Sequence, residues 1–446
     1  VPKVLFTTVY NKKNVVTDMV AEHVKTYPRA GAVINVSPGL RFLKQNIQEI
    51  EILEYPTWKE FSEKLKEGFD IVGFSVYLYQ IEEIKEMITE ARKYSCEIWA
   101  GNFGAPFKPI EDLVDRVITD NAFNEVAELF GYKVNLKNIE HPVMTATVTA
   151  IFKLRFISFG LLYTSFGCPY TCNFCQTPVF VKHRFNVTLK SIERVLKHYY
   201  KIGIRYIAIF DETFGSDHVF YNEVTLLLKK YKMIWAAQSR VEIFLKNFDL
   251  WYERGLRLPG IGVEFMDDNT LKKVNKSQTT DQIQKWAKVS RKPGVFRYAF
   301  SIIGHPHLDV DATVKDAYLL KNMGFEINRT SVFTPFPHTE LWTEIENKFG
   351  IDETDYSKYD SRNLIWKHPY ISKKEMLKLL QKLKTTYNSS FKLYKEGLGR
   401  LVYDELKKGK FKFFFNYVIT SIFKSYFIND KKQIIFENFK ELKIKV

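Results

Sequence analysis

Cysteine is scarce in this 446-residue chain: there are four, and three of them fall between positions 168 and 175. Cys96, Cys168, Cys172 and Cys175 make a poor disulfide framework for a protein of this size, so a reducing cytoplasmic setting is expected. No run of about 18 uninterrupted apolar residues occurs, which argues against a spanning helix. No charged leader, apolar core and cleavage site open the chain, so no secretory signal is expected. Internal repeats and low-complexity linkers are missing as well. Acidic residues are in deficit, with 51 Asp and Glu against 66 Lys and Arg, a net charge of +15. That balance favours acidic partners, whether nucleic acid, an anionic membrane surface or an acidic redox protein, without choosing among them.

What the chain does have is length for two or three domains and a hydrophobic content of 46%. The first ~140 residues alternate strand and helix patterns. "KVLFTTVY" (3–10), "IEILEYP" (50–56), "DIVGFSVYL" (70–78) and "CEIWAGN" (96–102) read as strands. "VVTDMVAEHVKTY", "WKEFSEKLKEG" and "IEEIKEMITEARKY" read as helices. Such alternation implies an open, mostly parallel sheet with ligands at the carboxyl ends of its strands. Residues 141–160 read as a connector. From Leu161 a second series begins, with strands expected at "LLYTSF", 206–212, 234–240, 260–265, 297–306 and 329–337. Helices at 188–201, 217–231 and 310–323 separate several of them. The expected fold is α/β: a Rossmann-like doubly wound domain (1–140), a partial (β/α)6 TIM-like barrel (161–345) and a C-terminal helical region (346–446).

"GCPYTCNFC" (167–175) admits three readings. A disulfide would leave one thiol of the triplet odd and close a strained small loop. A structural zinc site wants four ligands, and His183 is the nearby candidate for the fourth. An iron–sulfur cubane needs three thiolates on three irons, leaving the fourth iron open.

The spacing Cys-x3-Cys-x2-Cys, with Phe174 just before the last cysteine, resembles the signature of radical S-adenosylmethionine (SAM) enzymes. Four later segments are similar to that superfamily in order: "FDETFGSD" (210–217), "GIGVEFMDDNTLKKVNK" (260–276), "SIIGHPHLD" (301–309) and "TPFPHTELW" (334–342). In the last, His338 stands where the family has glycine. The resemblance implies that Cys168, Cys172 and Cys175 hold a [4Fe–4S] cluster whose open iron takes the amine and carboxylate of SAM. Reductive cleavage then yields a 5′-deoxyadenosyl radical that abstracts hydrogen from an inert C–H bond. It implies cofactor contacts from Glu264, and the acidic segment points to Asp211 and Glu212. Arg240 at a strand end and Phe174 beside the cluster complete the candidate set. Plainer roles stand beside these: a buried ion pair for Glu264, a barrel-mouth cation for Arg240, helix capping for Asp211 and Glu212, and packing for Phe174 and Tyr163.

The N-terminal domain resembles the cobalamin-binding class of the same superfamily, through residues 38–56 and 70–93. It departs from that class in three places. No D-x-H-x-x-G loop is present, and "GNFGAPF" (101–107) and "TDNAFNE" (119–125) replace glycine-rich loops. Lost glycines mean a reshaped pocket, so cobalamin stands as an open cofactor. The tail 411–427 is aromatic and flanked by lysines, which suits either an anionic membrane interface or packing on the barrel. The expected function is therefore radical functionalisation of an unactivated carbon in a hydrophobic, lipid-like substrate, by C–C bond formation, cyclisation or methylation. An acidic ferredoxin or flavodoxin is the expected electron donor, with peripheral attachment to the inner face of the membrane left open. Two alternatives are RNA modification and a non-catalytic membrane-associated binding protein. Nucleic acid is not favoured, because the RNA branch that needs a second cluster also needs an N-terminal cysteine trio. Cys96 alone is there, and it reads as a core residue.

Overall fold

The computed structural model describes residues 1–11, 31–33, 36–150 and 154–387. The expected helix "VVTDMVAEHVKTY" and the aromatic tail lie outside the described residues. In chain order the strands are β1 (Val4–Thr7), β2 (Gly31–Val33), β3 (Glu51–Leu53), β4 (Ile71–Ser75), β5 (Glu97–Gly101), β6 (Arg116–Val117), β7 (Thr145–Ala150) and β8 (Leu154–Leu162). There follow β9 (Ser165–Phe166), β10 (Phe185–Asn186), β11 (Tyr206–Ile209), β12 (Ile234–Ser239), β13 (Leu256–Glu264), β14 (Tyr298–Ile303) and β15 (Ile327–Val332).

Five of these form an N-terminal parallel sheet in the order β3-β1-β4-β5-β6. Residues of β1 alternate between two cores. Val4 and Phe6 join one with helix Pro38–Asn46, and Leu5 joins the other with helices Trp58–Leu65 and Ile81–Ala91. Helices therefore cover both faces, as a sheet of near-continuous Val, Ile and Phe strands requires. Local chemistry starts the helices. Thr57 and Glu60 form a capping box, and Pro38 occupies the first turn of the helix it opens, where its missing N–H costs nothing.

The second sheet runs β15-β14-β13-β12-β11-β8-β7-β2. From β8 through β15 its strands are parallel, whereas β7 and β2 add on in antiparallel fashion. The stretch expected as a connector is thus strand: the parallel series begins at Leu154, and β7 pairs with it. The reason is that "TATVTA" alternates with period two and "LRFISFGLL" is an apolar-rich, strand-length run.

Buried and half-buried residues alternate along β11, β12, β14 and β15. Trp235 and its buried partners pack outward, with Phe214 at 5.2 Å and Trp251 at 6.2 Å between ring centres. The half-buried set faces the concave side. A Cβ added to Gly260 would lie 3.2 Å from Phe300 and 3.6 Å from Gln238, so these three share that face. The fold is α/β with parallel sheets and a TIM-like domain. Both cores run from the first sheet into the second: Trp99 shares one with Leu161 and Ile207, and Phe74 shares the other with Ile303 and Trp366. Among the described residues, no helix is long and apolar enough to cross a membrane.

Candidate cofactor site at the barrel mouth

The cysteine loop leaves β9 through Gly167, whose φ of +85° and closeness to Arg184 (2.8 Å from an added Cβ) admit no side chain. The loop is then tied to the carboxyl ends of several strands. Cys168 Sγ lies 3.1 Å from Thr213 Oγ1, just after β11. Asn173 donates from its backbone to Val274 O (3.3 Å) and from Nδ2 to Lys273 O (3.0 Å), after β13. Asn275 Nδ2 donates to Thr171 O at 2.8 Å. Leu341 N donates to Asn173 O at 3.3 Å, after β15. Cys175 N donates to Cys172 O at 3.0 Å, tightening the turn.

All four cysteines are unbridged: Cys96 is buried and the triplet is half-buried. Burial raises the pKa of Cys172, opposed by Lys276 and Arg240, and that of Cys175, opposed by hydrogen bonds from Thr177. Such thiols ionise when a metal takes them. Among the described residues, no group of three or more His, Cys, Asp or Glu side chains is arranged to hold a metal ion, the triplet included. A mononuclear zinc site gathers its ligands around one point, whereas a cubane spreads its thiolates over separate irons. The donor set, three free thiols in one loop beside the Arg240 guanidinium, fits a cluster with one open iron. His183, the candidate fourth zinc ligand, instead pairs with Asp120 (Nδ1–Oδ2 2.5 Å) and is largely exposed.

Arg240 is brought to the triplet from β12. It is 4% exposed, its guanidinium stands 4.0 Å from the centre of the Tyr170 ring, and Nη1 is 3.9 Å from Cys172 Sγ. Desolvation works against its charge, yet the Glu242 carboxylate bonded to Nε holds its pKa above the ordinary value. Arg240 Nη2, Glu242 Oε2 and Asn173 Oδ1 are buried without a partner. Buried polar atoms without partners are rare and call for an explanation, and an amino-acid head group or ribose at the mouth would supply one.

Glu264 sits at a register shift in β13 with φ of 59°, a strained position that re-aims its side chain. Its Oε1 is 2.8 Å from Lys276 Nζ, and an added Cβ on Gly262 would strike both partners. Glu212 accepts from Gly167 N at 3.2 Å, and burial pushes its pKa up to about 7. Asp211 is fully buried, accepting from Thr164 N (2.6 Å), the Thr164 hydroxyl and Tyr221 Oη (2.8 Å), with burial raising its pKa. It faces the support of the loop rather than the mouth, and neither acid is the N-cap of the helix that follows, a role taken by Asp217. Phe174 packs against both cores. Sequence reasoning passed over Tyr170, Thr213, Glu242 and Lys276. Tyr170 lies inside the quoted motif, but nothing in spacing marks it as a platform for a cation 70 residues later.

The loops at the carboxyl edge of the N-terminal sheet differ. Asn102 (φ 75°), Asp120 (φ 71°) and Ala122 (φ 61°) hold left-handed backbone, where glycine would be the easy choice. Asn102 Nδ2 donates to Ser75 Oγ (3.2 Å), and Asp120 accepts from the backbone of Lys182 (3.0 Å) and His183 (3.3 Å). An added Cβ on Gly104 would lie 2.9 Å from the Tyr77 backbone. Phe103 packs on Phe180 with ring centres 4.9 Å apart. His338 also has positive φ (67°), in keeping with the glycine it replaces, and its Nε2 meets Pro106 O at 2.8 Å. Among the described residues of 1–140 there is no histidine, and the imidazoles that meet these loops, His183 and His338, come from later in the chain.

Residues 162–320 match the radical SAM superfamily. An uncharacterised methyltransferase of Pyrococcus horikoshii is 27% identical over 241 residues, covering 52% of this chain and 51% of its own length. The bacteriochlorophyllide d C-8(2)-methyltransferase of Chlorobaculum tepidum is 25% identical over 335 residues, 67% of this chain and 73% of its own. The match thus spans about half of the Pyrococcus protein. Among solved structures, the radical SAM methyltransferase TsrM of Kitasatospora setae, with cobalamin and a [4Fe–4S] cluster bound, shares the fold. Its TM-score is 0.60 at 15% identity, covering 78% of each chain. A matched superfamily domain, free thiols at the mouth of a parallel barrel and this shared architecture converge: the chain carries a radical SAM domain over residues 162–320, of the kind that uses a [4Fe–4S] cluster and SAM, and it resembles the class with an N-terminal cobalamin-binding-like domain.

Proposed function

We propose that this protein is a radical SAM enzyme that functionalises an unactivated carbon of a hydrophobic substrate. Cys168, Cys172 and Cys175 hold the cluster, and SAM lies against it with Arg240, Glu212, Glu264 and Phe174 around it. The observation that carries this reading is the buried Arg240 guanidinium, whose Nη1 reaches Cys172 and whose Nη2 has no partner. The cluster and SAM supply the radical chemistry. The chain's part is to position and exclude water. Asp211 fixes the loop through Thr164 and Tyr221, the Tyr170–Arg240 stack covers the triplet, and the Lys276–Glu264 pair closes the β13 side.

In this reading residues 1–140 are the cobalamin-type unit, 161–345 the catalytic barrel and 346–446 a C-terminal helical unit. Two relatives are methyltransferases by name, one of them acting on bacteriochlorophyllide d, and this supports methyl transfer. Cobalamin carries methyl groups where it is bound, so it separates methylation from cyclisation or other C–C bond formation. The aromatic, lysine-flanked stretch 411–427 supports attachment to an anionic bilayer surface, testable by liposome flotation with and without 411–446. The net charge of +15 supports an acidic ferredoxin or flavodoxin as electron donor.

Anaerobic reconstitution tests the central reading. About four irons per chain are expected, with 5′-deoxyadenosine or S-adenosylhomocysteine formed from SAM on reduction. A colourless, iron-free protein would sink it.

A further inference from the structure

The concave wall of the barrel holds a cation that the cofactor site does not use. Arg329 on β15 is in register with Phe300 on β14, which is in register with Gly262 on β13. Its guanidinium carbon is 5.9 Å from the centre of the Phe300 ring. Phe300 lies on the concave face, opposite Gly260 and Gln238, so Arg329 lies inside the barrel too. The alternation of β15 agrees: Asn328, Thr330 and Val332 are buried on the other side.

Among the described residues, no hydrogen bond or ion pair engages the Arg329 guanidinium; its contact is the Phe300 ring. Arg297, close by, shows how this barrel treats an arginine that serves the fold. Glu326 takes it at 2.6 Å, and the carbonyls of Ala287 (2.9 Å) and Gly324 (2.5 Å) accept its remaining donors. Arg329 has none of this. Burial, with the charge of Arg362 second, pushes its pKa down to about 9, so it is still charged at neutral pH. A charge drawn out of water without compensation is costly.

Arg329 is also well placed with respect to the mouth. It is two strand spacings from Gly262, about 10 Å, and Gly262 is the residue against which the Glu264–Lys276 pair sits. Between them the wall is apolar and low, with Gly260 giving room and Phe300 a flat face. The guanidinium fork matches the two oxygens of a carboxylate or phosphate.

We infer that Arg329 anchors an oxyanion, carboxylate or phosphate, carried by a hydrophobic substrate whose body lies across Gly260 and Phe300 toward the cofactor. This rests on the reading of the chain as a radical SAM enzyme with a hydrophobic substrate. The test uses the full chain with its cluster reconstituted, alongside Arg329→Lys and Arg329→Met, with iron content confirming that each has folded. Binding is read by fluorescence for protoporphyrin IX, which carries two carboxylates, and for its uncharged dimethyl ester, with farnesyl phosphate as competitor.

The wild type should prefer the diacid over the diester by about 10- to 100-fold, the range for a charged hydrogen-bonded pair. Arg329→Met should erase that preference and Arg329→Lys should keep part of it. Displacement by farnesyl phosphate would support the anion site and extend it to phosphates; no displacement would support it as a carboxylate site. Equal affinity of the wild type for diacid and diester, measurable or not, would overturn the inference, as would a preference that survives in Arg329→Met. Iron content and SAM cleavage by the wild type are read in parallel. Their loss would overturn the radical SAM reading while leaving the binding comparison to stand on its own.

Discussion

The mouth of the barrel and the carboxyl edge of the N-terminal sheet are both loop clusters at the ends of parallel strands, where α/β proteins bind ligands. They treat their polar atoms in opposite ways. At the mouth, Arg240 Nη2, Glu242 Oε2 and Asn173 Oδ1 are buried without partners, beside unbridged thiols. At the sheet edge, Asn102 and Asp120 occupy left-handed positions suited to glycine, and their side chains are bonded to Ser75, Lys182 and His183. One cluster leaves buried polar atoms unpaired, where the proposed function puts the cofactor. The other uses its own side chains for bonds within the sheet edge and to the segment after the cysteine loop. The difference teaches where an absent ligand belongs: unsatisfied buried groups mark it more sharply than a strand end does.

The hardest blow to this comparison is Cys172→Ala. Iron binding and SAM cleavage should both vanish, read by iron assay and by 5′-deoxyadenosine; retained cleavage would remove Cys172 from the ligand set. Next comes Arg240→Met, which keeps length and loses the guanidinium. Iron should stay, while SAM affinity falls about 10- to 100-fold in calorimetry, the cost of a charged hydrogen bond. An unchanged affinity would mean that the partnerless nitrogen is structural.

At the sheet edge the expected changes are smaller. Asn102→Gly combined with Asp120→Gly should raise the cobalamin retained by protein made with the vitamin present, measured by absorbance. No gain would show that these side chains do not close the pocket. Gly104→Ala should lower stability by about 1–3 kcal/mol, the usual cost of overpacking, without changing iron content. A loss of iron there would couple the two regions.

A last effect, read only in acid, concerns His141, buried against Phe42 in the core that Val4 and Phe6 join. Its Nδ1 donates to Pro142 O and its Nε2 accepts from Tyr163 N at 3.0 Å, so the neutral ring is required. Burial pushes its pKa down to about 3 from 6.5. A folded-state pKa below the unfolded one contributes stability that is present above about pH 6.5 and lost as pH falls toward 3. His141→Gln should flatten that part of the acid-unfolding profile in thermal melts, and an unaltered slope would assign the acid sensitivity elsewhere.

Much of the fold was legible because periodicity is local. The strands of the first sheet and of the barrel fall where alternation and apolar runs put them. Helix Pro38–Asn46 was not identified as a helix, although its proline in the first turn is a helix-start signal. Strands β7 and β8 were read as connector because no helix separates them, and an antiparallel add-on breaks the βα rhythm on which the count relied. At the site, the triplet was legible as a motif. The roles of Asp211 and Glu212 were not, since adjacent residues on a strand end face different surroundings: Asp211 is held under the loop, while Glu212 meets Gly167 at the loop itself.

The sequence by itself determined that Cys168, Cys172 and Cys175 lie within one loop, in a spacing that resembles the radical SAM signature. It also determined the order of strands and the excess of positive charge. Tertiary structure alone decided that Arg240 would stand over Tyr170, that Glu264 would meet Lys276, and that Arg329 would look into the barrel across Phe300. Those meetings depend on strand register and on which face of a sheet a residue occupies. A shift of one residue reverses both, so they exist only once the parallel strands have paired.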